Sequence, residues 1–432
     1  MSTVNHGLDR VHATFDDETL VADAGLILVA TLVARLGLEA LVDATVKLVG
    51  RVGGAHPGRK VLTLVHAMIG GADCIDDSNR LRAGATGAVL GHRVMAPSTL
   101  GTFLRAFTFG HVRQLEAVVG GAIERAWGLG AGPTGTLIVD VDSTICEVHG
   151  YAKAGAAYGY TRQLGYHPLL ATRADTGEVL HARLRKGSAI SGRGAVRFID
   201  ELLARVRRGG AGDAIIVRAD SGFYIHKLLD RLSRAEVGFS VTIHQRQPVR
   251  TAIDAIDEAA WWRIDYPDGD AAVAECVYRG RRLIVRRVRN HRGPQGQLFP
   301  TWRYHAFVTN LAGPAWALDQ QHRAHAVVEL SIRDLKAGPL THLPSGSFAA
   351  NGAWLQCAVL AHNLIRWTAT LGEIRTDGLI VAKTIRHRHL TVPARLVNRS
   401  GRLTLRLPAR WPWADHFLTA LNALRALPPA PG

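Results

Sequence analysis

The stretch at residues 137–144, LIVDVDST, constrains the fold more than any other part of the chain. An apolar run ending in acidic residues predicts a buried β-strand with Asp140 and Asp142 on one face, since side chains two residues apart in a strand point the same way. Two carboxylates at the edge of a core repel each other and lose solvation unless cations or donors offset them, as a divalent metal ion would. The alternative is a strand end at which Asp142 caps a turn through a hydrogen bond with Thr144.

The segments after this strand predict the fold class. We predict a hairpin over 167–185 with its turn at 174–177, a helix over 194–207, a strand over 214–220, a helix over 226–235 and a strand over 239–243. This order is that of a ribonuclease-H-like α/β core, a mixed sheet with flanking helices. In that core the first and fourth strands are neighbours, which places Asp142 next to Asp220.

A third acidic residue follows in the stretch 319–336, DQQHRAHAVVELSIRDLK, which predicts one continuous helix. At offsets of 0, 3, 7, 11 and 14, five side chains share one face of that helix: His322, His325, Glu329, Arg333 and Lys336. One acid among basic and imidazole groups is typical of a face turned towards phosphate. The alternative is a partly exposed face with an ordinary Glu–Arg pair.

Together these acids predict a metal site. Two Asp from neighbouring strands and one Glu from a packed helix can hold two divalent ions about 3.5–4 Å apart, an arrangement that serves phosphodiester displacement. Hard carboxylate oxygens favour Mg²⁺, with Mn²⁺ as the other candidate. We therefore predict Asp142, Asp220 and Glu329 as metal ligands and catalytic residues, supported by Asp140 and Thr144.

The N-terminal part of the chain has a different pattern. Residues 24–126 show apolar side chains at helical spacing and predict an all-α region of five or six helices. Two segments favour DNA binding: a helix-turn-helix pair over 61–81, and a helix after Pro97, capped by Ser98 or Thr99, with Arg105 facing outward. The Gly- and Pro-rich stretch 128–135 is the best domain boundary.

Residues 245–310 interrupt the core pattern with apparent strands and a dense basic cluster. They predict a β-rich insertion with one positively charged face or, alternatively, a charged edge hairpin. The predicted domains are a helical DNA-binding domain at 1–130, catalytic segments at 131–244 and 313–375, the insertion at 245–312, and a C-terminal region at 376–432. The basic cluster consists of Arg281, Arg282, Arg286, Arg287 and Arg289.

The overall charge points to an acidic partner. The formal net charge of +16, from 52 Lys and Arg against 36 Asp and Glu, favours a polyanion; a generally basic composition is the alternative. The four cysteines form no C-x-x-C pair, and no apolar stretch near the start is long enough to span a bilayer. We expect a cytoplasmic protein without a membrane partner.

Several segments together resemble the bacterial insertion-sequence transposases of the DDE class, most of all the branch called transposase DDE domain group 1. The resemblance implies the catalytic triad Asp142, Asp220 and Glu329, recognition of terminal inverted repeats by the N-terminal helices, cut-and-paste transfer to target DNA, and a synaptic homodimer. The matching segments are VDVDSTICEVHG, RLRKGSAISGRGA, VRADSGFYIHKLLD, YHAFVTNL, the helix of Glu329, LVARLGL, GGADCIDDSNRLR and TIRHRHLTVPARLVNRSGRLTLRLP.

Such transposases usually carry a Tyr, Arg, Glu and Lys signature around the glutamate. Glu329 and Lys336 fit its spacing, whereas His322 and His325 stand where the tyrosine and arginine are expected. Histidine donates to phosphate more weakly than arginine near neutral pH. The predicted DNA contacts are Lys336, Arg333, His322, His325 and Arg105, with Lys153, Arg162, Lys186 and Arg193 as further candidates.

Two other functions stay open at this point. A catalytically decayed transposase that only binds DNA would account for the two histidines. A phosphohydrolase of the haloacid dehalogenase type also uses an apolar strand followed by D-x-D-x-T, with Asp140 as nucleophile, Asp142 as acid and Thr144 as the third motif residue. Against the phosphohydrolase, a hairpin follows here instead of a parallel βαβ unit.

Overall fold

The computed structural model describes residues 8–150, 152–159, 162–212, 214–267, 269–289, 301–376 and 378–430. The N-terminal part begins with a short strand, which the all-α prediction did not include, and continues as helices. The elements are β1 (Leu20–Val21), α1 (Leu26–Arg35), α2 (Leu38–Thr45), α3 (Pro57–Gly70), α4 (Thr86–Val89), α5 (Pro97–Arg105) and α6 (Phe109–Ala126).

Two local predictions in this region are wrong. The second member of the proposed helix-turn-helix is a 3₁₀ helix, Asp76–Arg82, and not an α-helix. In α5 the N-cap residue is Ala96, so neither Ser98 nor Thr99 caps it, because Pro97 with its fixed φ already occupies the first helical position. Arg105 ends this helix and is exposed, as predicted.

The central part of the chain alternates strands and helices. The structure confirms the hairpin at β6–β7 and the two helices and two strands predicted after it. The elements are β2 (Leu137–Ser143), β3 (Cys146–Glu147), β4 (Ala157–Tyr158), β5 (Leu164–Tyr166), β6 (Leu169–Arg173), β7 (Val179–Arg183), α7 (Ala195–Arg208), β8 (Ile215–Ala219), α8 (His226–Arg234), β9 (Gly238–Thr242), α9 (Gln247–Asp254), β10 (Trp262–Ile264), β11 (Ala271–Tyr278), β12 (Arg281–Arg289) and β13 (Trp302–Thr309).

The last part of the chain is mainly helical, with one β-hairpin. The continuous helix predicted over 319–336 is wrong: a 3₁₀ turn, Ala324–Ala326, divides it into two helices. The elements are α10 (Ala315–Arg323), α11 (Val327–Lys336), α12 (Phe348–Leu371), α13 (Ala382–Ile385), β14 (Ala394–Arg399), β15 (Arg402–Arg406) and α14 (Ala414–Ala426).

Nine strands form one mixed sheet in the order β10-β11-β12-β13-β9-β8-β2-β6-β7. β2 runs parallel to β8 and antiparallel to β6, and β8 runs parallel to β9. The mixed sheet with flanking helices is thus confirmed, while its ribonuclease-H-like assignment stays a prediction. The strands predicted as an insertion continue the same sheet, because β13 pairs antiparallel with β9.

The basic cluster on β12 does not form one positive face. Side chains alternate along a strand, so Arg282 and Arg286 lie on the face opposite to Arg281, Arg287 and Arg289. Each guanidinium also has an acidic partner, and Arg286, for example, bonds to the buried Asp319 at 2.6 Å. The other pairs are Arg281 with Asp230, Arg282 with Glu275, Arg287 with Glu258 and Arg289 with Asp270.

Helix α12 lies at the centre of the fold. Its residues from Ala350 to Ala369 are all buried, and the polar ones among them include Asn363 and Arg366, which bond to backbone carbonyls of the hairpin segment 176–179. It packs against α3 and α6 on one side and against β7 on the other, which joins the N-terminal helices to the sheet. The predicted domain limits stay predictions, although packing is continuous near residue 128, where the indoles of Trp127 and Trp367 both donate to buried Glu178.

Among the described residues, every helix is too short or too polar to cross a lipid bilayer.

Candidate active site

Three carboxylates meet near the C-terminal end of β2. Asp142 is the last residue but one of β2, and Asp220 directly follows β8, which pairs with β2 in parallel. Glu329 lies in the first turn of α11, which packs over β2. The negative charges of Asp220 and Glu329 both act on Asp142. The structure therefore brings together the three acidic residues predicted from the sequence.

The surroundings of Asp142 disfavour its negative charge. The pKa of this carboxyl is raised to about 6, mainly by burial, and the charges of Asp220 and Glu329 act in the same direction. The backbone N–H of Ser143 and the imidazole of His325 lower it, but they do not compensate. A cation bound between these carboxylates would be stabilised by all three charges.

Backbone donors orient the two aspartates. Asp142 Oδ1 accepts from the N–H of Ser143 at 2.6 Å, and Asp220 Oδ1 accepts from the N–H of Gly222 at 3.0 Å. The alternative of a turn capped by a bond between Asp142 and Thr144 is not found among the described residues, and the N–H of Thr144 donates to the carbonyl of Pro168 at 3.1 Å. Each aspartate keeps its second carboxylate oxygen without a hydrogen-bond donor among the described residues.

Asp140 has a different environment from Asp142, although both lie on one face of β2. It is fully buried and forms a bidentate ion pair with Arg218 of β8, with Nε–Oδ1 and Nη2–Oδ2 distances of 2.7 and 2.8 Å. His325 Nδ1 also lies 2.9 Å from Asp140 Oδ1, and because the carboxylate can only accept, the ring nitrogen donates. Asp140 is thus engaged by two cationic or donor groups and does not face the open site.

Arg218 also binds the turn at which α10 ends, before α11 begins. Its guanidinium donates to the carbonyls of Gln321, at 2.5 Å, and Ala324, at 3.2 Å. These carbonyls belong to the end of α10 and to the 3₁₀ turn, where a helix leaves acceptors unpaired. The Asp140–Arg218–His325 group therefore connects β2, β8 and the turn that precedes Glu329.

His322 lies away from the acidic site. Its Nδ1 and Nε2 lie 2.5 and 2.9 Å from the hydroxyl oxygens of Ser240 and Thr242, and its ring stacks on Phe307 at 4.1 Å between centroids. The pKa of His322 is lowered to about 3, first by burial and then by the nearby charges of His325 and two arginines. The single face predicted for 319–336 is therefore wrong, because the chain turns between His322 and Glu329 and both nitrogens of this ring are in use.

We expect the variant His322→Leu to be less stable but to bind DNA as the wild type does. Its unfolding free energy should fall by about 1–3 kcal/mol, since the hydroxyls of Ser240 and Thr242 lose their partner in a buried place. Urea unfolding and the salt dependence of duplex binding measure the two effects. A lower salt slope with unchanged stability would show instead that His322 contacts phosphate.

The predicted phosphate contacts fall into two groups. Arg333 and Lys336 of α11 are exposed, and the Lys336 ammonium lies close enough to the buried Cys146 thiol to lower its pKa, although burial raises that pKa to about 12. Arg162, Lys186 and Arg193 are also exposed, as required for a DNA contact. Lys153 is partly buried instead, and its ammonium donates to the carbonyl of Leu343 at 2.5 Å.

Two arginines of this region were not predicted as site residues. Arg218 is the charged residue of β8, IIVRA, and an arginine within an otherwise apolar strand is the sequence signal that could have identified it. It lies opposite Asp140 of β2. Arg185 is buried and donates to the carbonyls of His167, Ile190 and Ser191, which holds the loop 184–194. That loop reaches the acidic site, because Ser191 Oγ lies 3.1 Å from Ser143 Oγ.

The donor set fits divalent metal ions. All three side chains offer hard oxygen atoms, and the pKa of Asp142 is raised first by burial and further by the charges of Asp220 and Glu329. In this arrangement no choice of one carboxylate oxygen from each residue brings all three oxygens within 4.8 Å of one another, so a single ion could not be coordinated by all three residues. Two ions about 3.5–4 Å apart could be shared by the set, with Asp142, Asp220 and Glu329 as ligands.

Two tighter acidic groups occur elsewhere in the described chain, and neither needs a metal. Glu116, His181 and Glu201 lie close together, but the guanidiniums of Arg113 and Arg183 already neutralise both glutamates. The second group, Asp73, Cys74 and Asp77, is organised by backbone N–H groups that donate to Asp77.

A mixed α/β sheet that carries grouped carboxylates at its strand ends is typical of enzymes that act with divalent metal ions. The family profile of transposase DDE domain group 1 matches residues 5–429, so the chain belongs to this family. No protein of curated function matches the sequence. Among solved structures, the chain is similar to piggyBac transposase in a cryo-EM structure of its synaptic complex with hairpin DNA, with a TM-score of 0.48 and 9% identity over 85% of this chain and 79% of that chain.

Proposed function

We propose that this protein is the DNA transposase of an insertion sequence. It binds the terminal inverted repeats, cleaves DNA at the ends of the element, and joins the freed 3′-hydroxyl to target DNA by a cut-and-paste route. It acts on cytoplasmic, nucleoid-associated DNA as a homodimer in the synaptic complex. The observation that carries the proposal is the meeting of Asp142, Asp220 and Glu329 at the end of β2, in a chain of the transposase DDE family.

Each residue of the site has a distinct task in this reaction. Asp142 and Asp220 are proposed to bind the metal ions with their second oxygens, because backbone donors bind the first ones. Glu329 closes the site from α11, and Arg333 and Lys336 on the same helix are exposed and able to contact the DNA phosphates. Two Mg²⁺ ions, or Mn²⁺, would supply activation of the attacking oxygen and stabilisation of the leaving oxygen.

The N-terminal helices are proposed to recognise the inverted repeats. Arg105 is exposed at the end of α5 and able to reach a phosphate or a base edge. The side chains of Arg162, Lys186 and Arg193 are exposed and are proposed to hold the cleaved end.

The buried ion pair of Asp140 argues against the phosphohydrolase alternative. A nucleophilic carboxylate must reach the phosphorus atom, but both oxygens of Asp140 are bound by Arg218 and its exposed fraction is 0%. No open face of Asp140 is left for a phosphoester in this arrangement.

The test is cleavage of a labelled duplex that carries the terminal repeats, with Mg²⁺, by the wild type and by Glu329→Gln. We expect cuts at the repeat boundary by the wild type and none by the variant, because Gln cannot supply the anionic ligand. Glu275→Gln, which changes an exposed glutamate of β11, is the matched control and should cut normally. Tight binding without cleavage by the wild type would establish the decayed transposase instead.

A further inference from the structure

The strands β14 and β15 form a hairpin near the C-terminus, here called the C-terminal ribbon. They are joined by Ser400 and Gly401, with φ angles of 50° and 76°, the two-residue turn that suits the twist of a hairpin. The family resemblance and the acidic site assign no task to this ribbon. Between residues 378 and 430 the chain carries nine Lys and Arg and one acidic residue, Asp415.

The two faces of the ribbon differ in chemistry. Leu396 pairs with Leu405 on one face, and both pack against the hydrophobic core. The other face carries four arginines in two directly opposed pairs, all exposed to solvent. The pairs are Arg395 with Arg406, and Arg399 with Arg402.

Opposed arginines are an unfavourable arrangement for an isolated hairpin. Side chains of directly opposite residues are about 4.5–5.5 Å apart at Cβ, and like charges there destabilise the pair of strands. Arg395 forms an ion pair with Asp17, with 2.8 Å between Nη2 and Oδ2, which offsets its charge. Within the described residues, Arg399, Arg402 and Arg406 have no acidic partner, whereas every arginine of the cluster on β12 has one. The charge of these three arginines is therefore not neutralised by any acidic side chain among the described residues.

We propose that Arg399, Arg402 and Arg406 of the C-terminal ribbon bind the phosphate backbone of double-stranded DNA. A duplex carries one negative charge per about 1.7 Å of its axis, a density that offsets opposed guanidiniums and releases counterions. Arginine suits the role because its planar fork binds phosphate oxygens in pairs. The ribbon thus holds DNA with side chains other than those of the acidic site, and the inference rests on the proposed function only in taking DNA as the substrate.

The experiment is the salt dependence of binding to a labelled duplex of random sequence, without metal ions. The double variant Arg399→Gln, Arg402→Gln should bind at least about tenfold more weakly at low salt. Its slope of log affinity against log salt should be shallower by about two, because each lost phosphate contact removes about 0.9. Thermal unfolding of both proteins confirms that the exposed substitutions leave the fold intact.

Arg395→Gln is the matched control, since it changes an arginine of the same face that Asp17 already holds. It should keep the wild-type slope. The inference would be overturned by an unchanged salt slope in the double variant, or by an equal loss of DNA affinity in Arg395→Gln. It would also be overturned if the double variant bound DNA as the wild type does but no longer bound anionic lipid vesicles. A wild-type protein that binds duplex but never cleaves it would contradict the proposed function and leave this inference intact, because the binding assay does not depend on cleavage.

Discussion

Replacing Asp142 by Asn is expected to reduce metal-dependent DNA cleavage by at least about 10³-fold. The charge stabilisation supplied at such a site is several kcal/mol, and each 1.36 kcal/mol is a factor of ten in rate. Asn cannot replace the anionic oxygen of a residue that lies among two further carboxylates. Single-turnover cleavage of an end-labelled duplex with Mg²⁺ measures the loss, and duplex binding should stay at the wild-type level.

Asp140→Asn is the matched control for this prediction, because it makes the same chemical change two residues away on the same face of β2. It should keep measurable cleavage, reduced by about 10–100-fold as for residues that orient a metal ligand. The comparison must be made well below the unfolding temperature, since the variant loses part of its ion pair with Arg218. Equal loss in both variants would contradict the separate roles of the two aspartates.

Replacing Arg218 by Met is expected to lower the unfolding free energy by about 3–5 kcal/mol, because it leaves Asp140 buried without its cation. Asp140 and Arg218 are 0% and 2% exposed, so water cannot take over the lost contacts. The carbonyls of Gln321 and Ala324 lose their donor as well. Urea unfolding followed by circular dichroism measures the change in free energy.

Arg208→Met serves as the reference for that measurement. Arg208 also pairs with a carboxylate, that of Glu124, but the two side chains are 62% and 36% exposed. Exposed pairs contribute about 0–1 kcal/mol, so the reference variant should unfold almost as the wild type does. A loss below about 1 kcal/mol in Arg218→Met would show that the buried pair does not hold the sheet and the turn together.

The Arg218 prediction also bears on catalysis. The guanidinium reaches from β8 to the 3₁₀ turn, and Glu329 lies in the first turn of the helix that follows. Movement of that turn would displace the third carboxylate from the other two. Arg218→Met should therefore cleave DNA more slowly even where it is fully folded.

Local patterns were sufficient for much of the central sheet. The spacing of the apolar residues was enough to predict the strand that ends near Asp142 and the hairpin at β6–β7. It was also enough to predict the helix and the strand that precede Asp220. This works because a strand buried on both faces and an amphipathic helix leave different periods in the sequence. The same patterns placed Asp142, Asp220 and Glu329 on separate elements that the structure brings together.

The break between α10 and α11 could not be predicted in this way. The helical period continues from His322 to Lys336, and no Gly or Pro marks the turn at Ala324. The turn is bound by Arg218, a residue more than 100 positions earlier in the chain. A long-range hydrogen bond leaves no trace in a local period, and for this reason the face predicted for His322 and Glu329 was wrong.

The sequence by itself determined the strands and helices of the central sheet from β6 to β9 and the acidic residues at the ends of β2 and β8, since these depend on neighbours a few positions apart. Only the tertiary structure decided that β10–β13 extend the central sheet and that Asp140 forms its ion pair with Arg218. It also decided that each arginine of the β12 cluster has an acidic partner, whereas Arg399, Arg402 and Arg406 of the C-terminal ribbon have none among the described residues. Strand pairing and ion pairing are contacts between distant residues, and their partners are chosen by packing as the whole core forms.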